Sequence, residues 1–248
     1  MAVQKTNIEW TEATWNPVAG CTKVSPGCAH CYAEALTLRF HRGGRYLPGE
    51  STVEPLPAQL EIPLKWKTPR RIFVNSMSDL FHEAITTDYI AQVFDVMQKA
   101  HWHTFQVLTK RHRRLAELAL ELPWPANVWI GVSVENQLWA DERIPYLKQV
   151  PAAVRFLSVE LILKPVDLTT HLDGLQWVIV GGESGPRARP MDVAWARQIR
   201  DQCISASVPF FFKQQGGRRG RGGGDKAILD GRLWREMPRT GARDMVSA

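Results

Sequence analysis

Gly20-Cys-Thr-Lys-Val-Ser-Pro-Gly-Cys-Ala-His-Cys-Tyr32 puts three of the chain's four cysteines into eleven residues, with the spacing Cys-x6-Cys-x2-Cys. Ala13–Ala19 ahead of it reads as a weak strand. Ala29–Phe40 behind it reads as a helix, with Tyr32, Ala35, Leu36 and Phe40 on one face. The stretch is therefore a strand, a loop and a helix, and Cys31 falls at the helix N-terminus, where free N–H groups favour an anionic ligand. Pro26-Gly27 lets the loop fold back so that the three sulfurs converge. Structural zinc takes four protein ligands, and an electron-transfer [4Fe–4S] cluster takes four cysteines. Three soft donors on one loop point to a cluster with one iron left open for a substrate or cofactor. Zinc, with His30 or a distant residue as fourth ligand, is the alternative, and incidental core cysteines are a third reading. Cys203 lies far away on the apolar stripe Val193, Ala196, Ile199, Cys203 and reads as a core thiol.

The same unit repeats outward along the chain. Ile72–Asn75, Thr104–Thr109, Val128–Ser133, Val154–Val159, Trp177–Gly181 and Val208–Lys213 are short apolar runs that read as buried strands. They start roughly 22 to 32 residues apart, the length of a strand, a helix and two loops. Helical stripes fall between them. One is Ile90, Val93, Phe94 and Met97 in Asp88–Ala100, with Thr86, Thr87 or Asp88 as N-cap. Another is Leu115, Leu118, Ala119 and Leu122. Such βα units build a parallel sheet covered by helices, either an open barrel or a doubly wound sheet. In both, ligands sit at the carboxyl ends of the strands. Tyr46–Arg71, with five prolines, reads as a long excursion. Gly216–Gly224 reads as a flexible loop, and Asp230-Gly231 within Ile228–Met237 as a hairpin turn.

Across 248 residues, 44% of them hydrophobic, there is ample core for one domain. No apolar run reaches a membrane span, and the first twelve residues hold no signal-peptide core. The expectation is a cytoplasmic protein with no membrane contact, where clustered cysteines mean metal more often than disulfide. The net charge of +6 is uneven. From Lys213 to Ala248 nine basic residues face four acidic ones, a net +5. A basic tail suits a polyanion such as DNA or RNA, although a solvated end has the same composition.

The cysteine loop resembles that of the radical S-adenosylmethionine (SAM) superfamily, whose usual spacing is Cys-x3-Cys-x2-Cys. The first gap here is longer. The whole chain is similar to a phage-associated family of unknown function. The stretches that carry this are Thr6-Asn-Ile-Glu-Trp-Thr-Glu with Trp15-Asn-Pro, the cysteine loop, Asn75-Ser-Met-Ser-Asp, Leu157-Ser-Val-Glu, Val180-Gly-Gly-Glu-Ser-Gly and Phe210-Phe-Phe-Lys-Gln. That family is distantly similar to the spore photoproduct lyase branch, whose members act on DNA. The resemblance implies a partial (β/α)6–7 barrel with mostly parallel strands over residues 1–215, followed by a basic Gly/Arg-rich appendage, 216–248. It implies a [4Fe–4S] cluster on Cys21, Cys28 and Cys31, with SAM chelating the open iron. An electron from an external donor would cleave SAM to methionine and a 5′-deoxyadenosyl radical, for nucleic acid modification or repair.

Several strand ends then become candidates for SAM. Asn75, Ser76, Ser78 and Asp79 after the second strand suit its methionine moiety, though an ordinary cap and turn is the plainer reading. Lys110 after the third would pair with its carboxylate. Arg111, Arg113 and Arg114 beside it would meet phosphates of DNA or RNA, or else form a solvated face. Ser133, Glu135 and Glu160 end the fourth and fifth strands. Their carboxylates suit ribose hydroxyls or the SAM ammonium, with a salt bridge as the alternative. Gly181 and Gly182 allow close backbone approach, and Glu183 points inward. Lys213, Gln214 and Gln215 would close the mouth. Trp10 and Trp15 would shield the cluster, and other tryptophans are core or base-stacking positions. No substrate-reacting residue is evident. The competing functions are a metal-stabilised nucleic-acid binder without catalysis, and a radical enzyme for a small metabolite or protein partner.

Overall fold

Seven strands carry the fold: β1 (Ala13–Trp15), β2 (Arg71–Val74), β3 (Thr104–Thr109), β4 (Val128–Ser133), β5 (Val154–Glu160), β6 (Trp177–Gly181) and β7 (Phe210–Gln214). They belong to a computed structural model that describes residues 6–34, 52–217 and 223–239. The strands pair in chain order, and every pairing is parallel. An order that never reverses has no switch point. The crossovers then stay on one face, and the sheet curls into a half-barrel instead of being doubly wound.

Side-chain alternation sorts the two faces. Ile72, Val74, Phe105, Val107, Leu157, Val159, Val178 and Phe210 face outward into one core. Against them pack the helices α1 (Thr87–Lys99), α2 (His112–Leu118), α3 (Gln137–Lys148) and α4 (Val193–Ser205). Thr86 caps α1, its hydroxyl accepting from the Tyr89 N–H. Phe73, Trp129, Phe156, Trp177, Ile179 and Phe211 point the other way and fill the lumen with Trp10. Trp10 comes from the N-terminal segment. Its ring lies 4.7 Å from that of Phe73, and its carbonyl accepts from Gln106 Nε2 at 3.2 Å. Gly131 of β4 leaves the space that the Phe156 ring takes, since a Cβ there would lie 2.5 Å from it. The lumen is thus packed by these rings, and a cavity opens at the carboxyl ends of the strands.

Three elements differ from the sequence expectation. Ala13–Ala19 is interrupted at Pro17. Only Ala13–Trp15 joins the sheet, while Val18–Ala19 pairs antiparallel with Glu54–Pro55 of the proline-rich excursion. Helix α3 has no legible stripe, because Arg143 occupies a fully buried position, Leu138 is exposed and Pro145 lies inside it. Between β5 and β6 the chain forms turns without a helix. The cysteine-loop helix is described only at Tyr32–Glu34, so Leu36 and Phe40 lie outside the described residues.

The Asp230-Gly231 turn joins Ile228–Leu229 to Arg232–Leu233 as an antiparallel pair. The chain then runs along the free edge of β7, where Phe212 N–H donates to the Trp234 carbonyl at 2.8 Å and Glu236 N–H to the Phe210 carbonyl at 3.2 Å. Ala227, Leu229 and Trp234 are buried there, so residues 223–239 share the domain's core. Arg218, Arg219, Arg221, Arg243 and most of the glycine loop lie outside the described residues. No described helix is long and apolar enough to cross a membrane.

Candidate active site

A cavity of about 540 Å3 opens where the strands end. The cysteine loop forms one wall of it, with Cys21, Cys28 and Cys31 all lining the space. None of the four cysteines is in a disulfide, and Cys203 is buried in the outer core.

Charged groups at three strand ends hold this loop. After β3, the buried Arg111 donates from Nη2 to Thr22 Oγ1 at 2.7 Å and from Nε to Glu83 at 2.9 Å. His82 Nε2 also meets Thr22 Oγ1, at 2.8 Å. The Ala84 N–H donates to His82 Nδ1, so the ring proton sits on Nε2. Burial, then the Arg111 charge, holds His82 below its ordinary pKa. Asp79 accepts from the Thr109 hydroxyl (2.7 Å) and from the N–H groups of Phe81 (3.0 Å) and Lys110 (3.1 Å). It ties the turn after β2 to the end of β3.

After β4, Glu135 and Arg143 form an ion pair with no exposure on either side, Nη1 to Oε2 at 2.9 Å. Arg143 Nη1 also donates to the Ser133 carbonyl at 2.7 Å, and its guanidinium carbon lies 4.1 Å from the Trp139 ring centre. The other carboxylate oxygen takes the Ser25 hydroxyl at 2.6 Å. Gly27 rests on this carboxylate, and a Cβ there would lie 2.4 Å from Oε1. After β6, Glu183 accepts from the backbone N–H of Arg189 (2.8 Å), from its Nε (2.8 Å) and from its Nη2 (2.9 Å). His30 Nδ1 lies 3.4 Å away. Arg189 Nη1 reaches across to the Pro26 carbonyl at 3.0 Å.

The three thiols share one cavity wall. Among the described residues no three His, Cys, Asp or Glu side chains come together closely enough to hold one metal ion. A four-iron cluster gives each cysteine a different iron, and the thiols need only face one shared volume. Burial pushes the Cys21 thiol up to about 12. Asp79 and the negative forms of Cys28 and Cys31 add to this, and Arg111 opposes it. A thiol coordinated to a metal is deprotonated outright.

Most of the other sequence candidates line the same cavity: Asn75, Ser76, Ser78, Asp79, Lys110, Ser133, Glu160, Gly182 and Glu183. Asn75 is 2% exposed, and both its amide atoms lack hydrogen-bond partners among the described residues. It sits at φ +58°, which turns the chain sharply out of β2. Ser76 donates to Asn16 Oδ1 (3.3 Å) and Ser78 to the Val18 carbonyl (2.7 Å). The Lys110 ammonium has no partner among the described residues. Glu160 pairs with Lys213 at 3.1 Å and takes the Ser158 hydroxyl at 3.3 Å. Gly181 makes room for that carboxylate, and Gly182 for the Gln215 carbonyl, 2.2 Å from where a Cβ would stand. Glu135 and Gly181 do not line the cavity. Glu135 lies wholly beneath the loop, and Gly181 backs Glu160. Trp10 floors the cavity, whereas Trp15 faces the outer core. The arginines after β3 are engaged within the fold: Arg111 on the loop, Arg113 on Glu142 at 2.6 Å, and Arg114 on the carbonyls of His82 and Ile85.

Arg143, Arg189, Ser25 and Thr22 were not found by sequence reasoning. Ser25 and Thr22 sit inside the cysteine motif, where a hydroxyl beside a ligand is a usable signal. Arg189 lies in the turn after β6 and Arg143 on an unrecognised helix, and each meets its partner only through the fold.

The Glu183 anchor carries a pH dependence. Burial pushes its carboxyl up, but the hydrogen bonds and charge of Arg189 outweigh this, and the net shift is downward. A carboxyl depressed in the folded state stabilises above its unfolded pKa, and that stability is lost as pH falls through the folded value. Arg189→Met is therefore expected to be less stable than the parent protein at pH 7. The gap between their melting temperatures closes on acidification below about pH 4.5. A gap independent of pH would contradict the assignment.

A family model described as a protein of unknown function, DUF5131, matches residues 5–238. No curated protein matches. Among solved structures, spore photoproduct lyase complexed with dinucleoside spore photoproduct superimposes with a TM-score of 0.53 at 13% identity, covering 81% of this chain and 63% of that one. A cysteine-to-serine variant of the lyase gives 0.53 and 13%, covering 82% and 63%. A doubly substituted variant with bound AdoMet and dinucleoside spore photoproduct gives 0.52 and 13%, covering 81% and 63%. This chain spans less than two thirds of those proteins, and the likeness is one of fold.

Proposed function

The chain belongs to the DUF5131 family, and from the site that this member presents we propose a radical SAM enzyme acting on nucleic acid or a nucleotide-like substrate. The observation that carries the proposal is the placement of three loop cysteines on one wall of the cavity at the carboxyl ends of seven parallel strands. Cys21, Cys28 and Cys31 hold a [4Fe–4S] cluster, and SAM occupies the space beside it. Together the two supply an electron and an adenosyl group to begin radical chemistry on a C–H bond, with an external donor providing the electron.

The chain's own groups bind and orient. Lys110, a cation of the wall without a partner among the described residues, takes the carboxylate of SAM. Asn75, buried with neither donor nor acceptor partnered among the described residues, takes polar atoms of the methionine end, with Ser76 and Ser78 beside it. Ser133, Ser158 and Glu160 face the ribose side. Gly182 keeps the wall close to the ligand. Trp10, Phe73 and Leu108 form an apolar floor that excludes water. Asp79, Glu135 and Glu183 hold the loop in place. The nucleic-acid substrate is favoured by the +5 charge of the last 36 residues and by the likeness to a lyase complexed with a dinucleoside.

Anaerobic reconstitution with iron and sulfide, followed by reduction with SAM, tests the activity. The expected product is 5′-deoxyadenosine, abolished in Cys28→Ala. A reconstituted and reduced protein that leaves SAM intact would refute the proposal.

A further inference from the structure

Two contacts on consecutive residues dock the turn that leads into Cys28. The Ser25 hydroxyl reaches Glu135 Oε1 at 2.6 Å, and the Pro26 carbonyl takes Arg189 Nη1 at 3.0 Å. Each partner is itself fixed from behind. Glu135 is held by Arg143 at 2.9 Å with no exposure on either side, and Arg189 by three hydrogen bonds to Glu183. The turn, Pro26–Cys28, is a single 3-10 turn with no side-chain cap of its own, so its position depends on these outside contacts. Gly27 lies flat against the Glu135 carboxylate, where any Cβ would collide. The shape of the turn and the charge beneath it are therefore matched at three successive residues.

The Ser25 hydroxyl also lies 3.9 Å from Cys28 Sγ. A hydroxyl has one proton, and the short bond to an ionised carboxylate claims it. The serine oxygen thus faces the sulfur with its lone pairs. Glu135 fixes both where Ser25 sits and which way its proton points.

We propose that Ser25, Glu135 and Arg189 are positioning residues that hold Cys28 toward the cavity before any cluster is loaded. The loop is thus a preformed cradle and does not fold around its metal. The role as a cluster cradle rests on the function proposed above, but the clamp itself does not. It acts through the cysteine, and none of the three residues touches SAM or substrate.

The test uses metal-free full-length protein and iodoacetamide, with alkylation of each cysteine followed by mass spectrometry. Cys203, in the core, reports global unfolding in the same sample. Ser25→Ala and Arg189→Met are expected to raise the alkylation rate of Cys28 about tenfold, the change that a loss of about 1.4 kcal/mol of loop-closing free energy gives. Cys203 stays unchanged in Ser25→Ala and rises less than Cys28 in the less stable Arg189→Met, and Ser25→Thr, which keeps the hydroxyl, restores the parent rate. Iron uptake by the same variants on reconstitution falls in parallel. A Cys28 rate equal to the parent's in both alanine and methionine variants overturns the clamp. So does a rise shared equally by Cys203, which marks general destabilisation. If the clamp variants behave as expected while the parent protein takes up no iron, the preformed loop stands and the cluster assignment fails.

Discussion

Arg143→Ala will lower the stability of the protein by about 3–5 kcal/mol, because it strands a buried carboxylate without its counter-charge. Neither member of the Glu135–Arg143 pair has solvent exposure. The guanidinium has few other contacts to lose: Nε and Nη2 have no hydrogen-bond partner, and its main further contacts are the Ser133 carbonyl and the Trp139 ring. What the substitution exposes is the cost of an unpaired charge in a dry site. For a chain of this length the loss corresponds to a fall of roughly 10 °C in melting temperature. A double substitution, Glu135→Gln with Arg143→Met, removes both charges and keeps most of the volume. It is expected to recover a large part of the loss. Thermal and urea unfolding of the three variants checks this. A single variant within about 1 kcal/mol of the parent, or a double variant worse than the single, would contradict it.

Trp177→Ala is expected to cost a similar amount, about 3–5 kcal/mol, by a different mechanism. Trp177 is fully buried at the centre of the lumen plug. Its ring centre lies 6.2 Å from Trp10, 6.1 Å from Trp129, 5.6 Å from Phe156 and 6.0 Å from Phe211. Its indole N–H donates to the Glu236 carbonyl at 2.8 Å, which ties the plug to the C-terminal segment. Removal leaves a cavity walled by rings that strands hold in place, so the site cannot collapse to fill it. It also removes the support of Trp10, which floors the cavity beside the cysteines. The measurement is urea unfolding, with near-ultraviolet circular dichroism to report the aromatic packing. Trp177→Phe, which keeps a ring in place, should lose less than half as much. Equal losses for phenylalanine and alanine would mean that packing in the lumen is not what this residue contributes.

The parallel half-barrel was legible because buried strands leave a plain signature. Thr104–Thr109, Val128–Ser133 and Trp177–Gly181 stand in the structure at the boundaries that their apolar runs predict. Helix α3 was not legible, since its inward face carries Arg143, a residue type that binary patterning assigns to solvent. The cavity was largely legible too. A rule that puts ligands at the carboxyl ends of parallel strands led to Asn75, Lys110, Ser133, Glu160 and Glu183, all at strand ends that meet there. Spacing along the chain says which strand a residue ends, but not whether its side chain faces the opening or the loop beneath it. Glu135 and Glu160 look alike in sequence, each two positions beyond a serine near the end of a strand. In the fold one carries the cysteine loop and the other faces the opening, because only Glu135 has a buried arginine behind it and Ser25 above it. The supports that cross from one strand end to another, Arg189 to Pro26 and Arg111 to Thr22, have no local signal at all.

In the proposed enzyme, three thiols on one cavity wall hold a cluster with a free coordination position. Iron and sulfide analysis of anaerobically reconstituted protein, combined with electron paramagnetic resonance of the reduced form before and after addition of SAM, tests it most directly. About four irons per chain and a reduced-cluster signal that shifts when SAM binds are expected. One zinc and no iron, or a cluster whose spectrum ignores SAM, would contradict it.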